Sequence, residues 1–297
     1  KNGCLWFATS IGLSRYDGST VKTWFKEDMN IRSNYINYVY YDSRDRLWIG
    51  SANGVAIYDI NTEKFLTLEL LSGATIENKA AWFFEDSDGT MWISFKQHGI
   101  ISVNPDTFKI RRYFQSMGEE DYFNRIWFEP ENDLFLLGHI DKGLFYVDME
   151  KETIEPFHPT GSKSATPFEG KTIKSLLKTD DKTFFITCTD ATMYIMNPYD
   201  RTYEVLDATL PHNLTKEFKR TSKNHEKFKR ATRVSENLFA IILETGFIIY
   251  DLKSRTFVND NRYTKDFEHK KIHCIIGDID KGLVIGMVKN GVAIQQD

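Results

Sequence analysis

The sequence predicts an all-β fold, a seven-bladed β-propeller of four-stranded antiparallel blades. Three observations predict it: one short phrase recurs at blade-sized spacing, the segments around it are short and bounded by turn residues, and two strands of each unit are apolar almost throughout. The clear copies are "LWFATSIGLSRYD" from Leu5, "LWIGSANGVAIYD" from Leu47 and "MWISFKQHGIISVN" from Met91. Weaker copies begin at Leu134, Phe184, Leu238 and Leu283. Their anchors are Trp6, Trp48, Trp92, Phe135, Phe185, Phe239 and Val284, about 42 to 54 residues apart, and a period of about 40–50 residues is that of propeller blades.

Each unit reads the same way. Strand A is a run such as "INYVYYD" or "AAWFFED", followed by a turn rich in Asp, Asn or Gly. Strand B is "RLWIGS", and a Gly-containing turn leads to strand C, "GVAIYD". A polar hairpin ("INTEK", "PDT", "PYDR") leads to strand D, "FLTLEL" or "FKIRRYF". Turn signals every eight to twelve residues between β-rich runs give antiparallel hairpins. Strands B and C carry apolar residues on both faces, which requires cover on both sides, as sheets packed around a ring provide. The first copy starts at strand B and the last ends after strand C, so a full ring lacks one strand at each end: either flanking sequence supplies them or one blade is incomplete. Residues 1–297 are read as one propeller domain. Because the chain opens inside a motif, it is expected to be part of a longer polypeptide.

Composition narrows the function. The chain has 297 residues, is 14% aromatic, and has a net charge of −4, which gives no global electrostatic reason to expect nucleic acid or a membrane as partner. No apolar run reaches the roughly 18 residues of a membrane span. Cys4, Cys188 and Cys274 lie in apolar segments, without zinc-ligand spacing, and read as small buried hydrophobes.

The first two copies, "GCLWFATSIGLSRYDGSTVKTW" and "DRLWIGSANGVAIYDINTEKF", resemble the two-component regulator propeller repeat, whose general form is D-x-x-G-x-L-W-I-G-T-x-x-G-L-x-x-Y-D. The third copy is a good match. In copies four to seven Phe or Val replaces Trp. The resemblance implies a seven-bladed propeller in the periplasmic sensor region of a hybrid two-component system, anchored in the inner membrane and dimeric at full length. It implies a neighbouring propeller and an immunoglobulin-like domain in the same chain, then a histidine kinase and transcriptional control. It also implies detection of oligosaccharides from polysaccharide breakdown. None of the later modules is present in this segment, so no enzyme activity is expected of it.

The residues themselves sort into punctuation and candidates. The Asp turns Asp42–Asp45 and Asp86–Gly89 lack the spaced oxygens and closing Glu of a calcium loop, and Asx bonding with Gly explains them. Trp6, Trp48 and Trp92, at the same position of three blades, fit packing between blades better than ligand stacking. No catalytic motif, metal set or cofactor signature occurs, and the His residues are dispersed. Two inserts break the period: His158–Lys171, and Asp207–Arg230, which is rich in Lys and Arg. Both fall on the face that carries the B–C turns and D–A connections, and both read as solvated loops or as binding loops. On strand A, the fifth residue before the turn Asp is often polar: Asn37, Asn124, Lys174 and His273. With Tyr35, Trp82, Arg125 and Trp127 nearby, these would rim a central channel and suit sugar recognition, or simply hold water. His98 and His139 on the same face complete the candidates, and Arg230 or Arg233 would take the sixth blade's place. The expected ligand is an oligosaccharide, and the basic insert makes an anionic one a candidate; a pure scaffold and a propeller lyase or glycosidase are the competing readings.

Overall fold

The computed structural model describes residues 3–73, 79–95, 99–114, 123–129, 134–162, 166–206, 228–258, 262–288 and 291–295. These form a seven-bladed β-propeller of antiparallel sheets. Sheet 1 contains β1 (Leu5–Thr9), β2 (Gly12–Tyr16) and β3 (Val21–Trp24). After a short helix α1 (Lys26–Met29), sheet 2 contains β4 (Ile36–Tyr41), β5 (Arg46–Ser51), β6 (Val55–Asp59) and β7 (Lys64–Thr67). Helix α2 (Leu68–Ser72) leads to sheet 3, with β8 (Ala80–Glu85), β9 (Met91–Phe95), β10 (Ile100–Val103) and β11 (Ile110–Tyr113). Sheet 4 is β12 (Phe123–Glu129), β13 (Leu134–His139), β14 (Leu144–Asp148) and β15 (Thr153–Pro156). Sheet 5 is β16 (Ile173–Lys178), β17 (Phe184–Cys188), β18 (Met193–Asn197) and β19 (Thr202–Leu206). Sheet 6 is β20 (Arg230–Arg233), β21 (Leu238–Ile242), β22 (Phe247–Asp251) and β23 (Thr256–Phe257). Sheet 7 is β24 (Ile272–Asp278), β25 (Gly282–Met287) and β26 (Val292–Gln295). The first and last sheets have three strands: sheet 1 begins at its B-type strand, and sheet 7 stops at its C-type strand.

Backbone contacts divide the chain into two compact units. One comprises Lys1–His139 with Tyr146–Glu155, the other Ile140–Phe145 with Pro156–Asp297. Within the first, successive side chains of sheet 2 go to opposite faces, as the pleat requires. Leu47, Ile49, Ala56 and Tyr58 pack with Leu13 and Trp24 of sheet 1. Trp48, Val55 and Ile57 pack with Phe83, Met91 and Ile93 of sheet 3. Sheet 6 does the same in the second unit. Phe239, Ile241, Ile248 and Tyr250 join Phe185 and Met193 of sheet 5, while Ala240, Ile242, Phe247 and Ile249 join Ile275, Leu283 and Ile285 of sheet 7. This is why the B- and C-type strands of these sheets carry apolar residues on both faces.

Each turn class has its own chemistry. In the A–B turn of sheet 2, buried Asp42 accepts the backbone N–H of Arg44 (3.0 Å) and of Arg46 (2.8 Å). It also accepts the Trp48 indole N–H at 2.8 Å. Asp86 accepts the Trp92 indole N–H at 2.7 Å in sheet 3. In the B–C turn, the Ser51 hydroxyl donates to Gly54 O (2.9 Å) and accepts from Asn53 N (3.1 Å). The C–D turns place an Asx at the end of strand C and a left-handed, non-glycine residue four positions on: Asp59 and Glu63, Asn104 and Phe108, Asp148 and Glu152, Asn197 and Arg201, Asp251 and Arg255.

Two segments differ from their sequence reading. Strand D of the second blade ends at Thr67, and "LELLS" turns helical. Leu and Glu favour helix over strand, Leu68 is fully buried, and Gly73 closes the turn at φ +68 with its N–H on Glu69 O. The insert His158–Lys171 is not wholly solvated: Thr160, Gly161, Glu169 and Gly170 are exposed, but Phe168 anchors it in the core. Phe168 is fully buried against Phe157 (5.4 Å between ring centroids) and Tyr194 (4.8 Å). Gly143, at φ +95, lies under Phe168 O so closely that a Cβ would sit 2.3 Å from it. The basic insert lies outside the described residues over 207–227.

Candidate functional site

The first strand of five sheets carries an extra residue at the same place. The register shifts between Ile36 and Tyr38, Ala80 and Trp82, Phe123 and Arg125, Ile173 and Ser175, and Ile272 and Cys274. The extra residues are Asn37, Ala81, Asn124, Lys174 and His273, so the polar fifth position of the sequence coincides with a β-bulge. A bulge twists the strand and re-aims a side chain, which frees this position from the alternation that buries its neighbours. Ile36 pairs with Ser51, where the B–C turn begins, and Tyr35 O accepts from Ala52 N at 2.9 Å. The bulges therefore lie at the end of each sheet that carries the B–C turns and D–A connections.

In the first unit, the residue after each bulge forms a row. The Tyr38 ring is 4.7 Å from Trp82, and the Arg125 guanidinium carbon is 4.6 Å from the Trp82 ring centroid. Trp82 and Arg125 are half-buried, leaving flat aromatic and guanidinium surface in one place. Asn37 Nδ2 donates to Ala80 O, while Asn37 Oδ1 is buried without a protein partner among the described residues. Exposed Tyr35 carries the Lys79 ammonium 5.4 Å from its ring centroid. Trp127 sits farther along β12: its ring lies 5.2 Å from Phe84 and its N–H donates to Glu129 at 2.8 Å, so it packs between sheets. His139 is fully buried with its ring edge-on to Phe123, 5.3 Å away, a core position rather than a rim one. His98, and the side chain of Asn124, lie outside the described residues.

In the second unit, Lys174 and His273 occupy the bulges of β16 and β24. Strand β20 has none: Arg230 pairs directly with Ile242, and Ala231 N donates to the Ser175 hydroxyl at 2.6 Å. Arg230 thus holds the strand start, but Arg233 is at the other end, where its guanidinium donates to Ser235 O and Glu236 O of the A–B turn. The offer of Arg233 as a rim residue is corrected by this register, since β20 is only four residues long. Desolvation, together with the charges of Arg230 and Lys229, holds the His273 imidazole below its ordinary pKa of 6.5, although the residue is exposed. Glu244 bridges Lys229 (2.6 Å) and Lys271 (3.8 Å), and the Lys229 hydrogen bond lowers its own pKa. Sequence reasoning held Lys229 only as part of the basic insert and missed Glu244 and Lys271, because a charge beside a turn carries no signal until its neighbours are known. Cys188 is buried, which pushes its thiol up to about 12 and leaves it unreactive.

The family model described as two component regulator propeller matches residues 30–53. Residues 30–53 are similar to a two component regulator propeller repeat. The repeat runs from the end of α1 through β4, the Asp42 turn and β5 to the B–C turn, so it contains both Asn37 and the Asp42–Trp48 contact. The fold is similar to the extracellular domain of the hybrid two component system BT3049 from B. thetaiotaomicron, at 21% identity and a TM-score of 0.72, covering 99% of this chain and 38% of that one. It is also similar to the extracellular domain of the hybrid two component system BT4673 from the same organism, at 19% identity and a TM-score of 0.71, covering 99% of this chain and 39% of that one. A computationally designed protein, Ika8, shares the fold at 11% identity and a TM-score of 0.62. The chain therefore spans about two-fifths of the length of the two extracellular domains. No curated protein matches the sequence. No helix among the described residues is long and apolar enough to cross a membrane.

Proposed function

We propose that this chain is a periplasmic ligand-sensing propeller of a hybrid two-component system, and that its ligand is an oligosaccharide released from a polysaccharide. One conjunction carries the reading: a regulator propeller repeat lies within a fold that matches, over 99% of the chain, extracellular domains of two hybrid two component systems. The strand-start residues supply chemistry that fits a sugar. The Tyr38–Trp82–Arg125 row offers flat surface for C–H faces, and Asn37 Oδ1 offers an acceptor for a hydroxyl. Lys229, Arg230 and Lys271 beside His273 offer counter-charge to acidic groups of such a ligand. The segment acts by binding. Its signal passes through a companion propeller and an immunoglobulin-like domain of a dimer to a histidine kinase that controls transcription.

The test is a calorimetric screen of oligosaccharides from diverse polysaccharides against this segment and against the longer sensor region. Saturable heat that falls about tenfold in affinity with Trp82→Ala supports the reading. Absence of heat with both proteins reduces the propeller to a scaffold, and turnover of a glycan makes it an enzyme.

A further inference from the structure

Sheet 2 carries a cleft of about 230 Å³ that the blade repeat does not call for. It opens where the D–A connection, the B–C turn and the end of strand D meet, so it lies on the same end of the sheet as Asn37 but is built from other residues. It adjoins the two departures from regular blade structure, with Asn30, Ile31 and Arg32 following α1 on one side and Glu69 of α2 on the other. The α1 side is held firmly: Phe25 N donates to Asp28 (2.8 Å), Lys26 N to Asn34 Oδ1 (2.6 Å), and Ile31 N to Lys26 O (3.0 Å), while Met29 is fully buried beneath. Asn30 turns the chain out of the helix in the left-handed region, at φ 51.

Among the described residues the lining is polar, with one cationic and one anionic side chain. The Arg32 guanidinium and the Glu69 carboxylate face each other at 3.6 Å. Asn30, Asn53 and the buried Thr67 hydroxyl add neutral donors and acceptors, and Val55 gives one apolar surface. Asn53 Oδ1 is buried and has no partner among the described residues. A buried polar atom is nearly always hydrogen-bonded in a folded protein, so this oxygen calls for a donor from outside the chain. Size narrows the donor. The cleft is several times the roughly 30 Å³ share of one water, yet smaller than the roughly 300–1,000 Å³ of drug-sized sites. Charge narrows it further: an anion would meet Glu69, a cation would meet Arg32, and an apolar group would leave Asn53 Oδ1 unpaired.

We propose that this cleft binds one neutral sugar ring, with Asn53 Oδ1 accepting a ring hydroxyl and the Arg32–Glu69 pair bonding neighbouring hydroxyls. The proposal deepens the sensor reading by placing one ring of the ligand away from the bulge residues.

The test is NMR of the Asn53 amide and Arg32 guanidinium side chains during titration with glucose, galactose, mannose, N-acetylglucosamine and glucuronate. A neutral sugar is expected to shift both signals saturably and to bind more tightly than glucuronate. Asn53→Ala and Thr67→Val should each weaken binding about tenfold or more. Glu69→Gln, at the solvent edge, should reverse the preference in favour of glucuronate, and thermal melts check that each variant is folded. Shifts confined to Asn37 and Trp82, or cleft signals unmoved by every sugar, overturn the proposal. In those cases the sensor reading stands if a longer oligosaccharide still binds the chain. Failure of every glycan, including with the longer sensor region, removes both.

Discussion

Asp42 shows how much one side chain organises. It is 2% exposed and accepts four hydrogen bonds, from the N–H groups of Arg44 and Arg46, from Arg46 Nε at 2.7 Å and from the Trp48 indole. Asp42→Ala would leave the buried Trp48 indole N–H and the half-buried Arg46 donors without this acceptor, so it should lower unfolding stability by about 3 kcal/mol in urea titration. Asp88→Ala, at an exposed turn position, should change it little. The sequence shows an Asp turn and a Trp six residues on, but the indole bond depends on a rotamer that only packing selects. The Gly of "LWIGS" has a similarly tertiary reason. A Cβ on Gly50 would meet the Phe83 ring at 2.7 Å, so the next blade, and not the local turn, demands glycine there.

At the scale of the element, the C–D turns repeat a rule that the residue types conceal. Glu63, Phe108, Glu152, Arg201 and Arg255 share the left-handed region with no glycine among them. The Asx four residues before each one bonds the turn backbone, and that bonding holds the conformation against its steric cost. Glu63→Val places a β-branched residue at φ 54 and should cost about 1–2 kcal/mol, measured by chemical denaturation. Strand identity and order were legible from the repeated phrase and from apolar runs bounded by turn residues, and the polar fifth position of strand A from counting back from the turn Asp. The bulge behind that position was not, because an extra residue in one strand shows only when its partner is aligned. Strand D of the second blade misled for a related reason: "FLTLELL" is apolar enough for either structure, and the burial of Leu68 decides for helix.

For the whole molecule, the direction of the acid response follows from its carboxylates. Backbone bonds from Thr20 and Ser19 lower the pKa of Asp17, the Lys151 ammonium lowers that of Asp148, and Lys229 lowers that of Glu244. A carboxylate with a depressed native pKa stabilises the fold above its unfolded value, near 3.8 for Asp and 4.5 for Glu, and that stability is lost as pH falls through the native value. The depressed His273 acts at a higher pH, since protonating it below 6.5 opposes the native state. Urea midpoints should therefore decline modestly just below pH 6.5 and modestly again below pH 4.5, since these carboxylates are solvent-screened. His273→Gln should remove only the first step, and Arg230→Gln should raise the His273 pKa toward 6.5 in an NMR titration.

The sequence by itself determined the propeller, its seven sheets and the three-stranded ends, because a repeated unit must write its turns and its two covered faces into every copy. It also marked the polar positions at the strand starts. Tertiary structure alone decided which candidates share a place. It gathered Tyr38, Trp82 and Arg125 into a row, buried His139, sent Arg233 to the opposite end of its strand, and opened the cleft at Asn53 between two helical turns. Those outcomes depend on register, rotamer and the packing of one sheet on the next, and none of these has a period that a sequence can show.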